Sequence, residues 1–278
     1  MQAPFPNVTF QWREYVLMKT IAEVPAYSSR FLTLEAAEAY AQKEYGAESY
    51  ASGVWAAQAP LVRSLLQEIR QQDPTARHFD FACGTGRLTQ LAEEVFAQVD
   101  ALDISPAMVD GARAVCRKAR FAVGDILKHP DLCLGPYASV TTFRLILNLD
   151  PPLRVPILAQ LGQRLKPGGK LIFNVHGNRH SLRQPAILWK RWRRRHDPSK
   201  SGQMLNDMSR TEVEECLATA GFRIEQIYGT GILPPTVYRW PLSFVWRGID
   251  SWLSGLSWLK HFSIDLIFVC KRKDVPVT

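Results

Sequence analysis

The chain has 278 residues, 46% of them hydrophobic and 22% charged, which suits one large domain with insertions, or one domain plus a small appendage, around a sizeable core. Its five cysteines (Cys83, Cys116, Cys133, Cys216 and Cys270) are scattered and never spaced Cys-x-x-Cys, so a disulfide framework or zinc site is not expected and a reducing cytoplasm fits best. A net charge of +8 favours anionic partners without choosing among nucleic acid, anionic lipid and an acidic substrate.

Arg13, Glu14 and Lys19 interrupt the first segment, so no signal peptide is expected, and no apolar run approaches the roughly 18 residues of a membrane span. Residues 1–32, with Pro4, Pro6 and Pro25, read as an irregular arm or a short helix. A helix over 33–42 follows, capped by Thr33, and Tyr40, Tyr45 and Tyr50 come after at intervals of five. The segment 54–72 predicts a second helix, with Leu61, Leu65, Leu66 and Ile69 as its apolar stripe and Asp73-Pro74 as its stop.

From there strands and helices alternate. Strands are expected at 78–82, 99–104, 120–124, 138–144 and 170–176, and helices at 86–97, 106–117 and 152–165. Pro106 suits a first helical turn, and Lys166-Pro167-Gly168-Gly169 marks a turn before the fifth strand. Such alternation predicts an α/β, doubly wound, mostly parallel sheet with helices on both faces. An insert at 177–207 breaks the rhythm, which resumes with a helix near 209–220, a strand at 222–229 and a last strand at 264–270.

Two segments carry the most information. Phe79-Asp-Phe-Ala-Cys-Gly-Thr-Gly-Arg87 runs from a strand through a glycine turn into a helix, and Asp103 ends the following strand. Glycine lets backbone approach a ligand, the helix start offers free N–H groups to an anion, and a carboxylate matches the two hydroxyls of a ribose. The dinucleotide fingerprint is not met, because its third small residue falls on Thr89, or on Arg87 in the shifted register.

These residues resemble the cofactor site of class I (Rossmann-like) S-adenosylmethionine (SAM)-dependent methyltransferases. Three further matches extend the resemblance over roughly residues 50–176: Ile104 and Met108, Gly124-Asp125-Ile126, and Leu165-Lys-Pro-Gly-Gly-Lys-Leu-Ile-Phe173. The family's first motif glycine is replaced here by Ala82. The resemblance implies seven strands, the last antiparallel, and SAM as cofactor with no metal. It places Asp80 near the methionine ammonium group and the turn Ala82, Cys83, Gly84 and Gly86 at the methionine carboxylate. Asp103 then takes the ribose hydroxyls, Ile104, Met108 and Ile126 the adenine, and Asp125, following Gly124, the adenine amino group. Phe143 and, from an N-terminal lid, Tyr45 complete this cofactor set. The implied domains are an arm and helical lid over 1–52 and the SAM-binding domain over 53–278, with 177–207 and 231–262 as substrate-side insertions.

Reacting groups in an open α/β sheet gather beyond the strands' C-terminal ends. There the sequence offers His176 as a base for a hydroxyl acceptor, Arg144 as an anchor for an acceptor anion, and Asn148 and Asn178 as acceptor contacts. Asp150-Pro151-Pro152-Leu153 looks like an amino-methylation motif, but Leu153 cannot stack on a base, and the prolines suit a helix start. In the insert, Ile187-Leu-Trp-Lys-Arg-Trp-Arg-Arg-Arg-His196 interleaves Trp189 and Trp192 with cations. It reads as a lid against the acceptor, with Trp189 in contact, ahead of an anionic membrane surface and then RNA. A tail helix from Pro241 would carry Leu242, Val245, Trp246, Ile249, Trp252, Leu253 and Leu256 as an apolar stripe, which suits an acceptor wall and equally a dimer face or a docking site on lipid. The expectation is a cytoplasmic methyltransferase, peripheral to a membrane if the insert docks there, acting on oxygen of a small-molecule or lipid-like acceptor. RNA methylation and a non-catalytic SAM-binding partner subunit stand as alternatives.

Overall fold

The computed structural model describes residues 50–195, 207–233, 243–256 and 258–273. In chain order these form α1 (Tyr50–Gln72), β1 (Arg77–Phe81), α2 (Arg87–Val95), β2 (Gln98–Asp103), α3 (Pro106–Val115) and β3 (Arg120–Val123). Then come β4 (Tyr137–Thr142), α4 (Pro151–Arg164), β5 (Leu165–Val175), α5 (Gln184–Arg195), α6 (Arg210–Thr219) and β6 (Phe222–Thr230). A last helix α7 (Ser243–Gly255) and a short 3-10 turn (Lys260–Phe262) lead into β7 (Asp265–Arg272). The helix expected over 33–42 and the lid residue Tyr45 lie outside the described residues.

One seven-stranded sheet takes the order β3-β2-β1-β4-β5-β7-β6. The first five strands pair in parallel, and β7 runs antiparallel to both β5 and β6. Parallel central strands are buried on both faces, and β4 is buried at every position. Alternation along β7 sends Leu266, Phe268 and Cys270 into one core and Ile267 and Val269 into the other. The first core is closed by Ile157, Leu158 and Leu161 of α4 with Val213 and Leu217 of α6. Val62, Leu65, Leu66 and Ile69 of α1, with Leu88 and Leu91 of α2, close the other. The α1 stripe is thus met, with Val62 added to it.

Element types agree with the sequence and a few boundaries move. Strand β4 ends at Thr142 rather than at 144, because Arg144 leaves extended geometry for a φ of 60°. Strand β5 starts at Leu165, which pairs with Tyr137; pairing then skips to Lys170 opposite Ser139, so the Pro-Gly-Gly turn sits as an irregularity inside the strand. Asp150 caps α4 and Pro151 opens it, the helix-start reading of the proline pair.

The tail helix corrects an expectation. It forms, but its stripe does not face one wall: Val245, Ile249 and Trp252 are exposed, while Trp246, Leu253 and Leu256 are half-buried. Leu242 lies outside the described residues. Facing inward are Asp250 and Ser254, one turn apart. The Asp250 carboxylate accepts the backbone N–H groups of Gly231, Ile232 and Leu233 at 3.1, 2.8 and 2.7 Å, which anchors α7 to the end of β6 through its polar side.

Candidate active site

Strand order reverses about β1, whose neighbours are β2 and β4, and a ligand crevice belongs where the strands end beside that reversal. A cavity of about 410 Å³ lies there. Its walls come from the turns after β1, β2, β3, β4 and β5, from α1, and from the first residue of β7. That last contribution follows from topology. Because β7 is antiparallel, its start lies beside the ends of the parallel strands, with Asp265 opposite Thr230 and the next residue, Leu266, opposite Val175.

Asp80, Ala82, Cys83, Gly84, Asp103, Ile104, Met108, Gly124, Asp125, Ile126 and Phe143 all line the cavity, as expected of a cofactor set. Asp103 receives the backbone N–H of Gly84 at 2.8 Å and of Ser105 at 2.9 Å. Burial raises its pKa and those amides work against the rise. Each carboxylate oxygen has a second lone pair with which to accept from a diol. Helix α2 begins after Gly86 without a side-chain cap, and its start lines the cavity through Arg87 and Leu88, where a helix N-terminus favours an anion. A Cβ on Gly84 would meet nothing within 4 Å, so the backbone there borders open space. Deeper, Asp80 accepts from Thr89 Oγ1 at 2.6 Å and Thr141 Oγ1 at 2.9 Å. Burial, with the Asp103 charge nearby, pushes its pKa up to about 7. A helix start that could take an anion, a carboxylate that could take a diol, and the apolar lining of Met108 and Ile126 are compatible with the parts of SAM.

The cavity also holds a polar cluster and an apolar wall. Leu145, Leu149, Leu153 and Ile157 form the wall, packed in the same core as Ile126. Arg144, Asn174 and His176 come from the ends of β4 and β5, and Asn174 Oδ1 accepts the Arg144 backbone N–H at 2.6 Å. His176 is half-buried, its buried Nδ1 has no hydrogen-bond partner, and desolvation with the Arg144 charge pushes its pKa down to about 3. Such an imidazole stays neutral at ordinary pH and is a weak proton acceptor. Gln58 Nε2 donates to Asp265 Oδ2 at 2.9 Å and to Thr230 Oγ1 at 3.1 Å. Asp265 Oδ1 is buried without a partner, and burial pushes this carboxyl up to about 7.

Four expected site residues stand elsewhere. Gly86 does not line the cavity; it lets α2 meet α3, since a Cβ there would lie 2.9 Å from the Ala112 Cβ. Asn148 lies behind the wall, donating to the Arg144 carbonyl at 2.7 Å and sitting 3.4 Å from His176 Nε2. Asn178 is fully engaged in holding the tail: Nδ2 donates to the carbonyls of His261 (2.7 Å) and Ser263 (2.8 Å), and Oδ1 accepts from His180 N. Trp189 is exposed on α5 and away from the cavity. Among the lining residues that the sequence did not single out are Trp55 and Gln58 of α1, and Asp265. Trp55 meets Phe143 edge-on at 6.5 Å, which closes the cavity from the helical side. Among the described residues no cluster of His, Cys, Asp or Glu has the makings of a metal site.

Comparison with known proteins agrees with this geometry. Residues 54–227, well over half of the chain, match the family model described as "Methyltransferase domain". A ubiquinone biosynthesis O-methyltransferase of Xanthomonas axonopodis pv. citri is 25% identical over 172 residues, which is 60% of this chain and 71% of that protein. Same-named proteins of related Xanthomonas strains are covered to 65–66% of their length. A malonyl-[acyl-carrier protein] O-methyltransferase of Serratia marcescens is 29% identical over 132 residues, 46% of this chain and 50% of that protein. In fold, the chain is similar to magnesium protoporphyrin IX methyltransferase of Synechocystis PCC 6803, solved with S-adenosylhomocysteine (SAH) bound. That match has a TM-score of 0.58 at 14% identity and covers 88% of this chain and 97% of that one. The chain belongs to the methyltransferase-domain family and is a class I, Rossmann-like, SAM-dependent methyltransferase.

Proposed function

We propose that the protein methylates an oxygen of a small, largely apolar or lipid-like acceptor. The observation that carries this reading is one cavity: the half lined by Asp103 and Met108, which suits SAM, is continuous with a lining of Leu145, Leu149, Leu153 and Asp265, whose Oδ1 is buried and unpartnered. Two of the relatives are named as O-methyltransferases, which supports oxygen as the target. Bound in the first half, SAM supplies a methyl group already activated on sulfonium, leaving SAH after transfer.

The protein's own part is to hold, orient and deprotonate. Gly84 and the start of α2 take the methionine carboxylate, Asp80 the ammonium group, Asp103 the ribose and Asp125 the adenine amino group. Trp55 and Phe143 exclude water over the reacting centre. In this reading Asp265, rather than His176, receives the acceptor's proton. Gln58 holds one of its oxygens, which leaves Oδ1 aimed at a donor, and a base with a pKa near 7 is matched to working pH. His176 and Arg144 then contact the acceptor, Arg144 steadying negative charge as it develops on oxygen.

The test is a SAM-consumption screen over phenolic, carboxylic, lipid-like and RNA acceptors with mass detection of the product. Methylated phenol or carboxyl products from apolar acceptors are expected. A product methylated only on nitrogen, or only RNA turnover, would contradict the reading.

A further inference from the structure

Helices α5 and α7 expose side chains that ordinarily bury themselves. In α5, Leu188, Trp189 and Trp192 are each more than half exposed, so the lid reading, with its tryptophans packed on the domain, is not met. The same twelve residues contain Lys190, Arg191, Arg193, Arg194 and Arg195 and no acidic residue. The Arg193 guanidinium lies 4.8 Å from the centre of the Trp189 ring. In α7 the amphipathic sense is inverted: Asp250 and Ser254 face the protein, while Phe244, Val245, Ile249 and Trp252 face outward, Trp252 at 67% exposure.

The two elements are tied together at one place. Leu182, just before α5, donates its N–H to the Phe262 carbonyl at 3.2 Å, and Asn178 holds the carbonyls of His261 and Ser263. Helix α7 packs on that same 3-10 turn. Leu182, Trp258 and Phe262 around the junction are also exposed. Burying a large apolar side chain is worth about 1.5–3 kcal/mol, so a row of them left in water marks a surface made for contact.

We propose that this face docks on an anionic lipid bilayer, with the tryptophans and aliphatic side chains in the headgroup layer and the α5 cations on lipid phosphates. Charge favours this occupant. The basic run of α5 complements an anionic surface, whereas a two-fold interface centred on α5 would bring two such runs together. Chemistry separates it from RNA, because Val245, Ile249, Leu182 and Leu188 offer nothing to stack on a base, while a bilayer accepts aliphatic and aromatic groups alike. The docked face adjoins the acceptor half of the cavity. Phe262 stands three residues before Asp265, and Arg183, just before α5, is close enough to Asp265 for its charge to work weakly against the rise in that pKa. On the reading that the acceptor is apolar, docking delivers it from the lipid phase.

The experiment uses the full chain without acceptor or SAM, sedimented with vesicles of phosphatidylcholine alone or with about one quarter phosphatidylglycerol. Anionic vesicles should carry the protein down at least about ten times more effectively than neutral ones, and added salt should weaken the binding. Trp189→Ser with Trp192→Ser, and separately Phe244→Ser with Trp252→Ser, should each reduce it at least about tenfold. SAH titration of each variant should give wild-type affinity, which shows the fold and cofactor site intact and separates a failed docking surface from a failed methyltransferase reading. Binding unchanged in both double variants would overturn the proposal. So would equal affinity for neutral vesicles, or light scattering showing a dimer that those substitutions abolish.

Discussion

Gly84 and Gly86, two residues apart in the turn after β1, serve different ends. Both have positive φ, 54° and 84°, but open space surrounds Gly84 while Gly86 is pressed against Ala112 and Cys116. Gly86→Ala should therefore destabilise the fold by about 2 kcal/mol or more, combining backbone strain with overpacking. Gly84→Ala should cost stability only about 1 kcal/mol, for its conformation, yet weaken SAH binding. Thermal melts and titration of both variants check this, and the reverse pattern would refute it. Proton transfer gives a second prediction. Asp265 faces Arg144 and Arg183, which lower its pKa, but burial dominates and sets it at about 7. Turnover should then rise about tenfold per pH unit to near pH 7 and level off, because the carboxylate is competent only when deprotonated. His176 at about 3 would give a flat profile over that range. Asp265→Asn should lower turnover at least about 10²-fold and remove the rise, and a rise that survives in this variant would exclude Asp265 as the base. Asp80, Gly84, Asp103, Met108 and Asp125 were legible in the sequence because each sits in or just after a strand-turn motif that folds locally. Asp265 and Gln58 were not, since their hydrogen bond joins residues 207 apart and depends on the last strand running antiparallel.

Among the elements, α7 is where periodicity misled. An apolar stripe at helical spacing normally faces the core. Here one carboxylate outweighs it, because three backbone N–H groups at the end of β6 would otherwise lose their partner, at about 1–3 kcal/mol for each buried group left unpaired. Asp250→Ala should release the helix without unfolding the sheet, and exchange of the Gly231, Ile232 and Leu233 amides should quicken well ahead of the β5 amides. Equal protection in the variant would show that packing by Trp246 and Leu253 suffices to hold α7. Helix α6 shows the contrary case. Ser209 and Glu212 form a reciprocal capping box, and its boundaries differ from the expected 209–220 by a single residue at each end.

Across the whole molecule, strand-helix alternation was enough to read the sheet and the crevice, because right-handed crossovers leave few ways to wind a parallel sheet. Which surface faces outward was not readable, since exposure is decided by what the rest of the fold offers each helix. The described residues contain no helix long and apolar enough to cross a membrane. The central claim is a division of labour within one cavity: Asp103 belongs to the cofactor and Asp265 to the acceptor. Calorimetric titration of SAH into wild-type protein, Asp103→Ala and Asp265→Asn tests it without knowledge of the acceptor. Tight binding is expected of wild type, a loss of about 2 kcal/mol, roughly 30-fold, of Asp103→Ala, and no change of Asp265→Asn. Absence of heat in the wild type, undiminished affinity in Asp103→Ala, or a comparable loss in Asp265→Asn would contradict it.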